Sequence, residues 1–445
     1  MGVPLPATVS PIDGDRPARA RCFLFLQGPI GPFFRRLGLA LAARGHRIVR
    51  VNFNGGDTYD WPWPSARLFR GANDEFPAWV GALAKAHDVT DLVLLGDCRP
   101  LHVAAVETLK QWRPALLVHV FEEGYLRPDN ITLELDGVNA RSSLPRDPAA
   151  ILESPEAAAD LILSHPVRPQ NIVMGRRTLA SYSWLFLLGW LFQRYRHHRE
   201  NGPAFELWTW FKRLAGRPAR LAEVARREKQ LLASGAPYYL ALMQLNTDKQ
   251  LLFHSPFKSI HEFLIQTVQS FAVHAPKDTL LVVKGHPLDN GQTPHDRQLN
   301  ELAAHWGVAE RIVYLDGGNL SELLGACRGA ITINSTAGIS ALHRSLPLVV
   351  LGRAIYDLPG LTHRRGLDSF WTDPDLPQRD LYLAWRQVVA ARTQVNGGFY
   401  TNQGMALAMP KVIERLEAAP AAAALLAAPG TEASYEAPAQ ALAGS

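Results

Sequence analysis

YYLALMQLNTDKQ (238–250), TLLVVKGHP (279–287) and AITINSTAGISAL (330–342) share one pattern: an apolar run of strand length, then a cluster of polar residues. Between the first two, Ile260, Phe263, Leu264, Thr267, Val268 and Phe271 recur at the i, i+3, i+4 spacing of one helix face. Strands that alternate with helices predict an α/β fold with a parallel, doubly wound sheet. Ligands of such sheets bind beyond the carboxyl ends of the strands. Three polar clusters therefore share one edge: Gln244, Asn246, Asp248 and Gln250; Lys284, Gly285, His286 and Pro287; Asn334, Ser335, Thr336 and Gly338.

The same alternation recurs towards the N-terminus, without sequence repetition. RCFLFLQGPIGPFF (21–34) reads as a strand ending on Gln27 and Gly28, and HRIVRVNF (46–53) as a second strand. DLVLLGDCRP (91–100) is a strand ending on Asp97 and Arg99, and ALLVHVFEEGYLRP (115–128) one ending on Glu122, Glu123, Tyr125 and Arg127. The expectation is two Rossmann-like domains facing a cleft, at 21–150 and 236–417, with a helical insertion at 151–235. Residues 1–20 are expected to be mobile, and the Ala/Pro-rich tail 418–445 to be disordered and dispensable.

In the insertion, LASYSWLFLLGWLFQRYRHHRE (179–200) holds an apolar run from Trp184 to Phe192, shorter than the roughly 20 residues that span a bilayer. Arg194, Arg196, His197, His198 and Arg199 follow. Two readings stand open: an interfacial helix with its basic groups on lipid phosphates, or a helix buried between domains.

At 445 residues and 47% apolar composition the chain can bury two packed cores. A net charge of +5 is compatible with an anionic ligand or a membrane surface, and no zinc spacing or RNA-binding signature points to nucleic acid. Three widely separated cysteines suit a reduced, cytoplasmic protein. The first twenty residues lack an apolar signal core, so export is not expected.

Ser335 and Thr336 at a strand end, with Gly338 opening a helix, place hydroxyls and unpaired N–H groups where an anion sits, although they also suit an ordinary N-cap. His286, aimed by Pro287, is suited to donate to a phosphate or leaving-group oxygen. Asp248 is a carboxylate at a cleft edge, fit for a nucleophile, a base or a turn. Of the adjacent Glu122 and Glu123, alternation sends one towards the cleft and leaves the other free to pair with Arg127. Carboxylates from opposed domains suit glycosyl transfer. Asp373-Pro374-Asp375 lacks a preceding strand and makes a poor metal site. No P-loop or dinucleotide fingerprint occurs.

VFEEGYLRPDNITLE (120–134), MQLNTDKQLLFHSPF (243–257), VVKGHPLDNG (282–291) and NSTAGISAL (334–342) together resemble the capsule polysaccharide synthesis/export family, in its single-module β-Kdo glycosyltransferase form. The resemblance, from about Phe23 to Trp371, implies a GT-B-like fold, CMP-Kdo as donor and a phosphatidylglycerol-type lipid acceptor; basic and helix-end groups can stabilise the leaving anion, so no further cofactor or metal is expected. It also implies peripheral attachment to the inner membrane, beside other capsule synthesis and export proteins. By the same analogy Asp248 matches the nucleophile, His286-Pro287 the CMP-contacting pair, Ser335 and Thr336 the phosphate segment, and Glu123 an acidic catalytic residue. Gln244, Gln250 and His254 are further site candidates in the second motif. A GT-B enzyme using another nucleotide sugar, an epimerase, and a non-catalytic glycolipid-binding export component remain alternatives.

Overall fold

The computed structural model describes residues 20–158, 165–167, 170–194, 208–209, 211–213, 215–245 and 249–426. Its strands are β1 (Cys22–Phe25), β2 (Arg47–Asn52), β3 (Arg67–Leu68), β4 (Asp91–Leu95), β5 (Leu117–Glu123), β6 (Asn130–Leu135), β7 (Tyr238–Leu242), β8 (Leu280–Lys284), β9 (Ile312–Leu315), β10 (Gly329–Thr332), β11 (Leu348–Val350) and β12 (Gln394–Asn396). They form two sheets, ordered β12-β6-β5-β4-β1-β2-β3 and β11-β10-β7-β8-β9. The second is parallel throughout. In the first, β6 runs antiparallel to β5, so GYLRPD (124–129) is the loop of a hairpin rather than the start of a crossover. Two such α/β halves make the molecule GT-B-like.

Burial on both faces explains the apolar runs. Along β7, Tyr238, Leu240 and Leu242 enter one core layer and Tyr239 and Ala241 enter the other, as period-two alternation requires. The helix Ile260–His274 lays Phe263, Leu264, Val268 and Phe271 on the second layer, and Ser259 caps it by accepting from Glu262 N–H.

The C-terminal segment departs from the expected domain boundaries. After the second domain, β12 pairs with β6, and the helix Asn402–Leu426 covers the first sheet. Met405, Ala408, Val412 and Leu416 are buried against Phe23, Phe25, Phe33 and Phe121. Each large side chain so buried stabilises by about 1.5–3 kcal/mol. Arg44 holds Glu417 through two bonds of 2.6 and 2.7 Å. This helix continues past Ala418 to Leu426 with Ala419 buried, so the expected disordered tail does not begin at 418. Ala and Leu are strong helix formers, and low complexity concealed that. Residues 427–445 and 1–19 lie outside the described residues.

NGGDTYD (54–60) forms the helix Gly55–Asp60, capped by Asn54. Its glycines answer to a neighbour: the helix Asn171–Leu187 crosses it directly. A Cβ at Gly55 would lie 2.1 Å from the Trp184 carbonyl oxygen, and one at Gly56 would lie 2.3 Å from Ser181 Oγ. The helix Asn171–Leu187 is thus neither free nor buried. One side packs on the first domain, while Phe186 and Leu187 stay exposed. Among the described residues, no helix is long and apolar enough to cross a membrane. Arg196, His197, His198 and Arg199 lie outside the described residues.

Candidate active site

Strand order locates the site. In the second sheet the chain steps from β7 to β8 on one side and returns to β10 on the other, so a crevice opens between the ends of β7 and β10. Gln244 and Asn334 stand there and grip one another. Gln244 Nε2 donates to Asn334 Oδ1 at 2.8 Å, and Asn334 N–H donates to Gln244 Oε1 at 3.1 Å. In the first sheet the corresponding crevice lies between β1 and β4, where Arg99 Nη1 donates to Gln27 Oε1 at 2.7 Å. The two edges meet where Cys98 Sγ, after β4, lies 3.2 Å from His254 Nε2, after β7.

His286 is half-buried on the second edge. Its Nδ1 accepts the Leu288 N–H at 3.1 Å, which places the ring proton on Nε2 and makes that atom a donor. Pro287 is exposed beside it. Ser335 Oγ accepts from Ala337 N–H, and Tyr356 hydroxyl donates to Ser335 O. Ser335 and Thr336 are half-buried. Gly338 serves packing: a Cβ there would come within 2.4 Å of the Tyr356 hydroxyl.

Lys284 turns the other way. Its register partners, Leu242 and Leu315, belong to a core layer, and its ammonium faces Glu228 and Asp316 from within that layer. Burial lowers its pKa, and those two carboxylates oppose the shift. It is a buried counter-charge rather than a group reaching beyond the sheet edge. Asp248 lies outside the described residues, as does the side chain of Gln250.

On the first edge the two glutamates part. Glu122 reaches back over Gly96, and its Oε1 accepts the Glu123 N–H at 3.0 Å. Glu123 Oε1 accepts the Tyr400 hydroxyl at 2.8 Å, on the side that the C-terminal segment covers. Arg127 donates to Gly124 O and is not the carboxylate partner expected of it. Tyr125 is not a cleft residue: it is buried, donating to Glu134 at 2.7 Å and accepting from Asn139 N–H at 2.6 Å. Gly28 packs on the Phe34 ring.

Asp97, Cys98 and His254 are buried and close enough to share a metal ion, alone in this among the described residues. Burial, then Asp97, pushes the Cys98 thiol well above its usual range. Burial brings His254 down to about 4, with Arg141 and Arg353 also lowering it and Asp97 opposing. A neutral thiol at 3.2 Å from both Asp97 Oδ1 and His254 suits a hydrogen-bonded bridge between the domains.

Sequence reading passed over a polar cavity of about 140 Å³ between the first edge and the helix Asn171–Leu187, lined in part by Gln27, Asp57, Asp60, Arg99 and Ser181. Behind Asp57, at 3.7 Å, is the buried Arg50, which donates to Asn52 Oδ1 and to Leu26 O. Burial, with Asp57 adding to it, raises the Asp60 carboxyl from 3.8 to about 7, against the Gly31 N–H, Arg50 and Arg177. The doublet Gly55-Gly56 was the available signal, since adjacent glycines mark a close approach.

Asp60 carries a stability prediction. Between about pH 4 and 7 the unfolded chain is ionised at this position while the folded protein holds the proton, so stability falls as pH rises and the full penalty stands above pH 7. Asp60→Asn is expected to raise stability at pH 8 by up to about 4 kcal/mol, and by less at pH 5. Urea midpoints at the two pH values measure this. An equal gain at both would show that Asp60 is ionised throughout.

Residues 90–400 match the profile of the capsule polysaccharide biosynthesis protein family. The chain belongs to that family. It is 36% identical over 387 residues to the capsule polysaccharide export protein KpsS of Escherichia coli, covering 85% of this chain and 96% of that one. It is 35% identical over 388 residues to the capsule polysaccharide modification protein LipB of Neisseria meningitidis serogroup B, covering 86% and 92%. Among solved structures, the beta Kdo 2,7 transferase KpsC of Thermosulfurimonas dismutans aligns over 88% of this chain and 99% of its own, with a TM-score of 0.43 and 13% identity.

Proposed function

We propose that this capsule biosynthesis protein is a retaining β-Kdo glycosyltransferase, moving Kdo from CMP-Kdo to a phosphatidylglycerol-type lipid at the cytoplasmic face of the inner membrane. The supporting observation is the meeting of two strand-edge crevices, one with an imidazole donor and hydroxyls, the other with carboxylates. Asp248 attacks the anomeric carbon and CMP departs with the bonding electrons. His286 Nε2–H and the hydroxyls of Ser335 and Thr336 stabilise the leaving phosphate. An acceptor hydroxyl then displaces Asp248 and gives its proton to a carboxylate of the opposite edge. Glu123 is the residue that the family resemblance names, but Glu122 lies nearer the crevice and takes this role on geometry. Such donors can hold the leaving anion without a protein-bound metal.

The test is CMP release from CMP-Kdo with and without the lipid, with the product lipid weighed by mass spectrometry. The expected result is lipid-dependent release and a one-Kdo increment. A second reading, a non-catalytic glycolipid carrier, takes support from the Escherichia coli relative's designation as an export protein. Lipid binding without any CMP release would favour it.

A further inference from the structure

The helix Asn171–Leu187 is inverted for an element facing water. Its inner side, Arg177, Ser181 and Leu185 at four-residue steps, lies over the Gly31 turn and the polar cavity. Its outer side carries Ile172, Leu179 and Phe186 at seven-residue steps, 78%, 60% and 78% exposed. Trp190, in the turn that follows, is 67% exposed. Exposed Arg176 stands within the stripe; Arg194, just beyond it, is exposed and pairs with Glu75 at 3.4 Å. Apolar groups with Trp and Arg at the margin suit the boundary of an anionic bilayer. A symmetric second copy would instead bring this patch against itself, with its like charges.

The cavity beneath matches what such a surface offers. The Asp57 carboxylate can accept from a hydroxyl, the Asp60 carboxyl can exchange a hydrogen bond with one, and the Arg99 guanidinium can donate to a phosphate. We infer that the outer face of this helix seats in an anionic phospholipid surface, and that the cavity under it takes the glycerol-phosphate headgroup of a lipid drawn from that surface. The helix is then the threshold between membrane and acceptor site. This rests on the lipid-acceptor reading above, but its tests need no donor sugar.

The full chain is sedimented with vesicles of mixed phosphatidylglycerol and phosphatidylcholine. The double variant Leu179→Ser, Phe186→Ser is expected to bind them about ten-fold more weakly or worse. If it fails to fold by circular dichroism, Phe186→Gln alone replaces it, with loss in the same direction. Dihexanoyl phosphatidylglycerol, kept below its micelle concentration, probes the cavity by calorimetry. Arg99→Gln is expected to weaken its binding at least ten-fold while leaving vesicle sedimentation unchanged. Wild-type sedimentation of the stripe variants would overturn the inference. So would a self-association that the stripe variants lose, which would make a second copy the occupant. Undiminished binding of the short lipid to Arg99→Gln would overturn the headgroup site. Lipid-dependent CMP release alongside failure of both arms would sink this inference and leave the transferase reading standing.

Discussion

Asp248→Asn is expected to lower Kdo transfer by about a thousand-fold or more while leaving CMP binding intact. The substitution keeps the shape of the side chain and removes the anion. Retention through two displacements requires the sugar to sit covalently on a protein group between steps, and a neutral amide is a poor nucleophile for the first of them. CMP makes its proposed contacts elsewhere, with His286, Ser335 and Thr336, so its affinity is not expected to move. With donor but no acceptor, the wild-type protein should gain the mass of one Kdo, mapped by peptide analysis to 244–250. Near-normal turnover in the variant would remove Asp248 from this role and direct attention to Glu122 and Glu123. A missing adduct alone would weigh less, since a short-lived intermediate need not accumulate.

His286→Ala is expected to weaken CMP binding by roughly ten- to a hundred-fold, the worth of a hydrogen bond to a charged group, and to slow transfer as well. The Leu288 N–H fixes the ring so that Nε2 donates, and the proposed partner is an oxygen of the phosphate whose charge grows as it leaves. Both binding and rate should therefore fall, whereas Asp248→Asn should change rate alone. His286→Gln, which keeps an N–H donor on a longer arm, should recover part of the affinity. Calorimetry with CMP and turnover with CMP-Kdo measure the two effects. Unchanged affinity and turnover in His286→Ala would place the imidazole outside the site, as a residue that merely shapes the turn.

What the sequence by itself determined is what repeats over short distances. Strands buried on both faces must be apolar throughout, so β7, β8 and β10 were legible as runs, and the helix Ile260–His274 as a 3.6-residue period. The α/β class followed, and with it the edge on which Gln244, His286 and Asn334 gather. Which way a strand-end side chain points was not legible, because register and neighbours decide it. Lys284 follows Leu242 and Leu315 into the core, Tyr125 turns to Glu134, and Glu123 is taken by Tyr400, 277 residues away in the chain. The return of β12 and the helix Asn402–Leu426 to the first sheet, and the cavity beneath the helix Asn171–Leu187, likewise depend on contacts between segments far apart in sequence. Local periodicity carries no record of such docking. It is settled only when two distant surfaces bury each other, as Gly55 and Gly56 do beneath Ser181 and Trp184.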